Sequence, residues 1–93
     1  MSVRRYRVHG AATEASRRIE QDFVPLLTRE THFHAYYVLD PGDGMLVTVS
    51  LFAERAGAEE SNRLAADWVA RQSPALVSLA ETTVGDVTVR AGL

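Results

Sequence analysis

The chain has 93 residues, of which 46% are hydrophobic and 24% are charged, and its formal net charge is −2. This length predicts a single domain over residues 1–93 that buries proportionally little surface, so oligomerisation is a natural supplement to its core. The weak negative charge gives no support to non-specific nucleic-acid binding. Because cysteine and lysine are absent, disulfides, thiolate catalysis, cysteine metal ligands and Schiff-base chemistry are excluded.

The chain also lacks targeting and membrane signals. No apolar stretch approaches the roughly 20 residues of a membrane span, and the N-terminal sequence MSVRRYRVHG lacks the apolar core of a signal peptide. We therefore expect a cytoplasmic bacterial protein with no membrane partner.

The first third of the chain predicts a strand and a helix. Residues 3–9 are rich in arginine and β-formers, and Gly10 ends that strand. Thr13 is placed to cap the helix, and Pro25 predicts a kink or an early end because its ring removes a backbone hydrogen bond. The apolar positions that follow helical spacing are Ala15, Ile19, Phe23, Leu26 and Leu27.

A hairpin is predicted next, from strands over residues 33–40 and 45–53 joined by a Pro-Gly-Asp-Gly turn. If it closes symmetrically about Gly42 and Asp43, Tyr37 faces Thr48, and both faces of the hairpin are largely apolar. One face then packs on helices and the other needs a second cover. In so short a chain we expect that cover to be another subunit, and hence a homodimer.

The last third predicts a second helix over residues 58–72, a short turn over 75–79 and a fourth strand over 84–90. The helix has an inward stripe formed by Ser61, Leu64, Ala65, Trp68 and Val69. The order strand, helix, strand, strand, helix, strand predicts an α+β, ferredoxin-like βαββαβ fold. It has a four-stranded antiparallel sheet with two helices on one face.

The segment FHAYYVLDPGDGMLVTVSLFAERAGAEESNRLAADWV, together with this order of elements, resembles small bacterial proteins of the dimeric α+β barrel superfamily, which includes antibiotic-biosynthesis monooxygenase domains. The resemblance implies two subunits that pair sheet against sheet, with a ligand pocket inside each subunit between sheet and helices. Cofactor-free members oxidise aromatic polyketides such as quinols, others degrade haem, and others bind ligands or dimerise.

The monooxygenases of this superfamily use an Asn and a Trp, so the resemblance implies Asn62 and Trp68 as catalytic residues. Being six positions apart, they lie about 120° from each other around the helix. The haem-degrading members need an Asn on the first strand and a ligating His after the second helix. This chain has Arg7 near the first position and no His after His34.

Hydroxyl groups on an otherwise apolar surface are the second group of candidates. Such groups bond either to backbone and to each other, or they form a pocket wall with a few convergent polar groups. Trp68 likewise either anchors the helix to the sheet or orients a ligand. The residues that we predict to bind substrate are Tyr6, Tyr37, Thr48, Ser50 and Ser61.

Arginines are unexpected on the first strand, where Arg5 and Arg7 share one face while Arg4 and Tyr6 share the other. Either their stems cover apolar surface at strand ends and a dimer rim, or they form a cationic wall for a phenolate or carboxylate ligand. His32 and His34 share a strand face, but the sequence places no carboxylate nearby. We therefore predict no metal and no cofactor.

Three functions stay open. The first is a cofactor-independent monooxygenase-like activity on a small aromatic or quinol-type compound. The second is a small-ligand-binding module without turnover, and the third is a structural dimerisation module. A cavity on the order of a few hundred cubic ångströms beside Trp68 favours the first two, whereas filling of that space by Phe23, Phe52 and Leu64 favours the third.

Overall fold

A computed structural model describes residues 1–92, in which four strands form one antiparallel sheet in the order β2-β3-β1-β4. The predicted α+β ferredoxin-like fold is confirmed. The elements in chain order are β1 (Ser2–Val8), α1 (Ala12–Arg18), a π-helical segment (Ile19–Phe23), α2 (Val24–Leu27), β2 (Phe33–Leu39), β3 (Met45–Phe52), α3 (Arg55–Ala70) and β4 (Val77–Val84). None of the helices in this described part is long and apolar enough to cross a membrane.

Pro25 was predicted to kink the helix or end it early, but the helix does not end there: a π-helical segment precedes Pro25 and helical structure continues to Leu27. Proline has no backbone N–H, so the carbonyl of Gln21 loses the bond that an α-helix would give it. At the residue directly before Pro25, the N–H of Val24 donates to the carbonyl of Ile19, five residues back. The helical region stays continuous, and Ile19 and Phe23 remain buried against the sheet.

The hairpin register differs from the prediction by one residue over most of β2. Tyr37 pairs with Val49, and Val38 pairs with Thr48, because an irregularity after Phe33 shifts the strand. A one-residue shift exchanges the two faces of a strand. The prediction that Tyr37 shares a face with Thr48 is therefore wrong.

The fourth strand is Val77–Val84 and not the predicted residues 84–90. It pairs antiparallel with β1, with a bulge opposite Arg5 and Tyr6. Its sequence VSLAETTV mixes apolar and polar residues, and most of its side chains are exposed at the sheet edge. Pairing with β1 outweighs the stronger β-propensity of the later segment, since propensity reflects local context more than backbone preference.

The core lies between the helices and one face of the sheet. α3 begins at Arg55, three residues before the predicted start, and Gly57 lets its first turn approach β3. A Cβ at Gly57 would lie 2.8 Å from the Cδ1 atom of Phe52. The buried apolar side chains are Tyr6, Ala15, Ile19, Phe23, Leu27, Leu46, Phe52, Ala58, Ala65, Trp68 and Val77.

The opposite sheet face keeps apolar side chains near solvent. Tyr37 is 65% exposed and Leu39 is 59% exposed, beside the half-buried Val47 and Val49. Among residues 1–92, no helix covers this side. A large apolar patch of this kind is typical of an interaction surface.

We expect two copies of the chain to associate through this face into a homodimer at micromolar concentration, as measured by sedimentation. Val49→Glu should shift the equilibrium towards monomer, because it places an unpaired charge in the interface. Gln21→Glu, on an exposed helix position, is the matched control and should leave the dimer unchanged. A well-folded monomeric wild type would contradict the expectation.

Candidate anion-binding site

Arg4 lies in the interior of the protein, with only 1% of its surface exposed. The alternation of side chains along β1 places it between Ser2 and Tyr6 on the side that faces the helices. A guanidinium is costly to bury unless its N–H groups are hydrogen-bonded. The position therefore requires a set of acceptors from the neighbouring elements.

Four neutral oxygen atoms from β3 and α3 meet this requirement. The Nε of Arg4 donates to Oγ1 of Thr48 at 3.3 Å, and Nη2 donates to Oγ of Ser50 at 3.1 Å. Nη1 donates to Oδ1 of Asn62 at 2.7 Å and, more weakly, to Oγ of Ser61 at 3.5 Å. All four contacts are to neutral groups, so the positive charge is solvated but not neutralised.

Within residues 1–92, no carboxylate lies within 4.0 Å of the Arg4 guanidinium. The ion pairs of the described residues lie away from Arg4 and join exposed side chains of the helices. Because the interior has a low dielectric constant, an unneutralised charge there attracts an anion more strongly than the same charge in water. Arg4 thus makes this part of the core favourable to an anionic group.

Asn62 has its amide oriented by two donors. Its Oδ1 accepts from Arg4 and also from the hydroxyl of Ser2, so the oxygen must face them. Its Nδ2 makes no hydrogen bond with the described residues, and Asn62 is part of a cavity wall. The amide N–H groups of Asn62 therefore have no acceptor among the described residues.

A cavity of about 250 Å³ lies between α3 and β4 and is lined mostly by apolar atoms. Arg4 and Asn62 contribute to its wall, and Leu79, which is 55% exposed, borders it at the sheet edge. We call it the Arg4 cavity. Its lining residues are Arg4, Tyr6, Asn62, Ala66, Val69, Ala70, Leu79 and Thr82.

Two phenols next to Arg4 remain protonated. Burial raises the pKa of Tyr36 to about 12 and also raises the pKa of Tyr6, while the positive charge of Arg4 opposes both shifts. Neither phenol is ionised at neutral pH, so neither serves as the counter-ion of Arg4. Both can instead donate hydrogen bonds.

Trp68 belongs to the core and not to the Arg4 cavity. Its ring lies 5.8 Å from that of Phe23 at an interplanar angle of 49°. The space beside it measures only about 10 Å³, about the size of one water molecule. The structure thus does not bring Asn62 and Trp68 to one cavity, although Tyr6 borders both spaces.

The other predicted substrate-binding residues fall into two groups. Thr48, Ser50 and Ser61 surround Arg4, and the hydroxyl of Ser61 donates to the carbonyl of Ala58 at 2.6 Å. Tyr37 lies on the opposite face of the sheet, away from the Arg4 cavity.

Sequence reasoning missed the central position of Arg4 and the contributions of Ser2 and Tyr36. The alternation of Arg4 with Tyr6 was the one available signal, because a buried Tyr6 turns Arg4 inward as well. In residues 1–92, no group of three or more His, Asp or Glu side chains is placed to hold a metal ion.

Comparisons with known proteins support the fold. No family model matches the chain, and no curated protein matches it significantly in sequence. MupZ from Pseudomonas fluorescens is similar in structure, with a TM-score of 0.69 and 12% identity over 87% of this chain. The chain spans 65% of the length of MupZ.

Two further solved structures are similar over almost their whole length. Rv0793 from Mycobacterium tuberculosis has a TM-score of 0.68 and 18% identity, covering 98% of this chain and 96% of that protein. Atu4242 from Agrobacterium tumefaciens has a TM-score of 0.61 and 20% identity, covering 91% and 89%. At these identities the similarity establishes the fold alone.

We expect Asn62→Ala to lower the free energy of unfolding by about 2–3 kcal/mol, because it removes the closest acceptor of a buried charge. In an Arg4→Met background the same change should cost about 1.5–3 kcal/mol less. Urea unfolding of both single variants and the double variant measures this coupling. Additive losses, within about 0.5 kcal/mol, would show that the two side chains do not interact.

The raised pKa of Tyr36 predicts a loss of stability at high pH. Because the folded state binds the phenolic proton more tightly, the added stability is complete below the unfolded pKa of about 10. It is lost as the pH rises towards the folded pKa of about 12. Between pH 9 and 11.5, the free energy of unfolding should fall more for the wild type than for Tyr36→Phe. The exposed Tyr37→Phe is the control and should follow the wild type.

Proposed function

We propose that the chain binds a small hydroxylated aromatic compound as its oxygen anion in the Arg4 cavity, and that it oxidises this compound with molecular oxygen without a cofactor. The observation that supports this proposal is the buried, carboxylate-free guanidinium of Arg4 at the wall of a mostly apolar cavity. The cytoplasmic location expected from the sequence is part of the same proposal.

The positive charge favours the ionised form of the ligand. An opposite charge within a few ångströms lowers the pKa of a hydroxyl group. The proposal requires that this effect exceed the rise in pKa that burial causes at Tyr36 and Tyr6. The free amide N–H groups of Asn62 supply a neutral donor for the same oxygen. Apolar side chains such as Val69 and Ala66 line the cavity and would contact the ring.

The ionised ring is electron-rich and is the form that gives electrons to oxygen. In the proposed reaction one oxygen atom bonds to the ring carbon opposite the hydroxyl group and becomes a quinone carbonyl. The other leaves as water, with the hydrogen of that carbon and the proton of the hydroxyl group. All four electrons come from the substrate, so the protein supplies positioning and stabilisation of charge.

One observation indicates the size of the ligand, and another bears on the choice between oxidation, binding without turnover and a structural role. The cavity of about 250 Å³ is smaller than the usual range for drug-sized ligands, which favours one or two rings. Trp68, which the family resemblance implies as catalytic, lies outside this cavity. Because the space beside Trp68 is nearly filled, this placement favours the structural dimerisation module. The Arg4 cavity favours ligand binding, and the resemblance to monooxygenase domains favours oxidation.

Oxygen uptake with 1-naphthol, which has two rings, and dithranol, which has three, tests the proposal. We expect uptake with 1-naphthol, and a fall of about 100-fold or more in Arg4→Met and Asn62→Ala, as when an anion-stabilising donor is lost. Trp68→Phe should stay within a few-fold of the wild type. Thr83→Val, at an exposed position outside the cavity, is the matched control.

The outcomes separate the alternatives. Uptake that is unchanged in Arg4→Met and Asn62→Ala would contradict the assigned site. Binding of naphtholate that depends on Arg4, measured by calorimetry without any oxygen uptake, would identify a binding module. Absence of both binding and uptake would leave the structural dimerisation module as the remaining function.

A further inference from the structure

The bulge in β4 determines which of its side chains face the Arg4 cavity. Leu79 and Thr82 both line this cavity, although they are three positions apart in the chain. In a regular strand successive side chains alternate between the two faces, so such residues would lie on opposite faces. The bulge resolves this conflict, because Ala80 has no partner on β1. It exchanges the two faces of β4 between Leu79 and Thr82.

The pairing of β4 with β1 shows the consequence of this exchange. After the bulge, Glu81 pairs with Arg5 on the sheet face away from the helices, and Thr82 pairs with Arg4. If β4 continued from Leu79 without a bulge, Glu81 would pair with Arg4 instead. A carboxylate at that position would neutralise the guanidinium and repel an anion. The bulge thus keeps the acid out of the cavity and re-aims a neutral hydroxyl towards it.

The hydroxyl of Thr82 is available to a ligand. Thr82 is exposed at the edge of the cavity, and its hydroxyl makes no hydrogen bond in the part of the chain that the structure describes. A hydroxyl both donates and accepts, so it suits a neutral hydroxyl group of the ligand. Together with Arg4 and the two amide N–H groups of Asn62, it gives the polar wall of the cavity enough hydrogen-bonding groups for a second ligand oxygen.

The position of Thr82 indicates where this second oxygen lies on the ligand. Residues directly opposite each other on antiparallel strands have Cβ atoms about 4.5–5.5 Å apart, and Thr82 is directly opposite Arg4. Two oxygen atoms that bind at such close neighbours belong to adjacent positions of a ring. The apolar part of the wall, which includes Ala70 and Leu79, is left for the carbon atoms.

We propose that Thr82 makes the Arg4 cavity specific for aromatic compounds with two adjacent oxygen substituents. One oxygen is ionised and lies against Arg4 and Asn62, and Thr82 binds the neighbouring hydroxyl group. The bulge at Ala80 is the feature that establishes this preference. This specificity rests on the proposed function, because it requires an oxygen anion to bind in the Arg4 cavity, but it does not require oxidation.

Calorimetry in the absence of oxygen tests the preference with two isomers. 1,2-Dihydroxynaphthalene has adjacent hydroxyl groups, whereas 1,5-dihydroxynaphthalene has the same size and composition but carries one hydroxyl on each ring. We expect Thr82→Val to lower the ratio of the two affinities, 1,2 over 1,5, by about 5–10-fold relative to the wild type, as when one hydrogen bond is lost. Thr82→Ser, which keeps the hydroxyl, should retain most of the ratio. Thr83→Val, on the other face of β4, is the matched control.

A charge substitution tests the effect of the bulge. Thr82→Glu places a carboxylate opposite Arg4, where a strand without a bulge would place Glu81. We expect it to lower the affinity for both isomers at least about 10-fold more than Thr82→Gln, which has a similar size and no charge. Glu81→Gln, on the opposite sheet face, should bind both isomers as the wild type does. Circular dichroism checks that each variant folds.

The outcomes distinguish this specificity from the proposed function. An isomer ratio that is equal in the wild type and Thr82→Val, or equal losses in Thr82→Glu and Thr82→Gln, would overturn the role of Thr82 and leave the anion site in place. A preference that depends on Thr82 without any oxygen uptake would support that role and contradict the oxidation. Absence of binding of both isomers to the wild type would overturn both.

Discussion

The positive charge of Arg4, held in the interior without a carboxylate, is the constraint that organises the rest of the structure. It requires acceptors from both the central strand β3 and the helix α3, and the four oxygen atoms around it tie these elements to β1. Replacing the neutral acceptors by an acid would satisfy the guanidinium equally well in geometry. It would also remove the excess charge that makes the neighbouring cavity suited to an anion.

Local patterns with a strong physical cause predicted most of the fold. The lack of an N–H at Pro25 led directly to the altered helix, and the helical stripe through Trp68 located α3. The register of β2 and the position of β4 were not accessible in the same way. A single irregularity after Phe33 reverses the faces of β2, and pairing with β1 selects residues 77–84 although residues 84–90 have the stronger β-pattern.

The sequence predicted most of the acceptors around Arg4, but it did not predict Arg4 itself as the centre of the candidate site. The sequence predicted Thr48 and Ser50 as hydroxyls on one otherwise apolar sheet face and Ser61 as a hydroxyl on the inner face of the helix. Asn62 came only from the family resemblance, which implied it as a catalytic residue. Arginine, however, is seldom buried, so composition alone assigns Arg4 to a strand end or an interface. Only the three-dimensional pairing of β1 with β3 shows that those hydroxyls are the acceptors of one buried cation.

The Arg4 cavity is bounded on one side by β4, a strand that is bonded to a single neighbour and interrupted by a bulge. Displacing such a strand breaks hydrogen bonds on one side only, and the helical region that carries the buried Phe23 and Leu27 need not move. Local opening of β4 at the sheet edge is thus a way to widen the Arg4 cavity at low cost. The width of the Arg4 cavity therefore depends on how firmly β4 is held to β1.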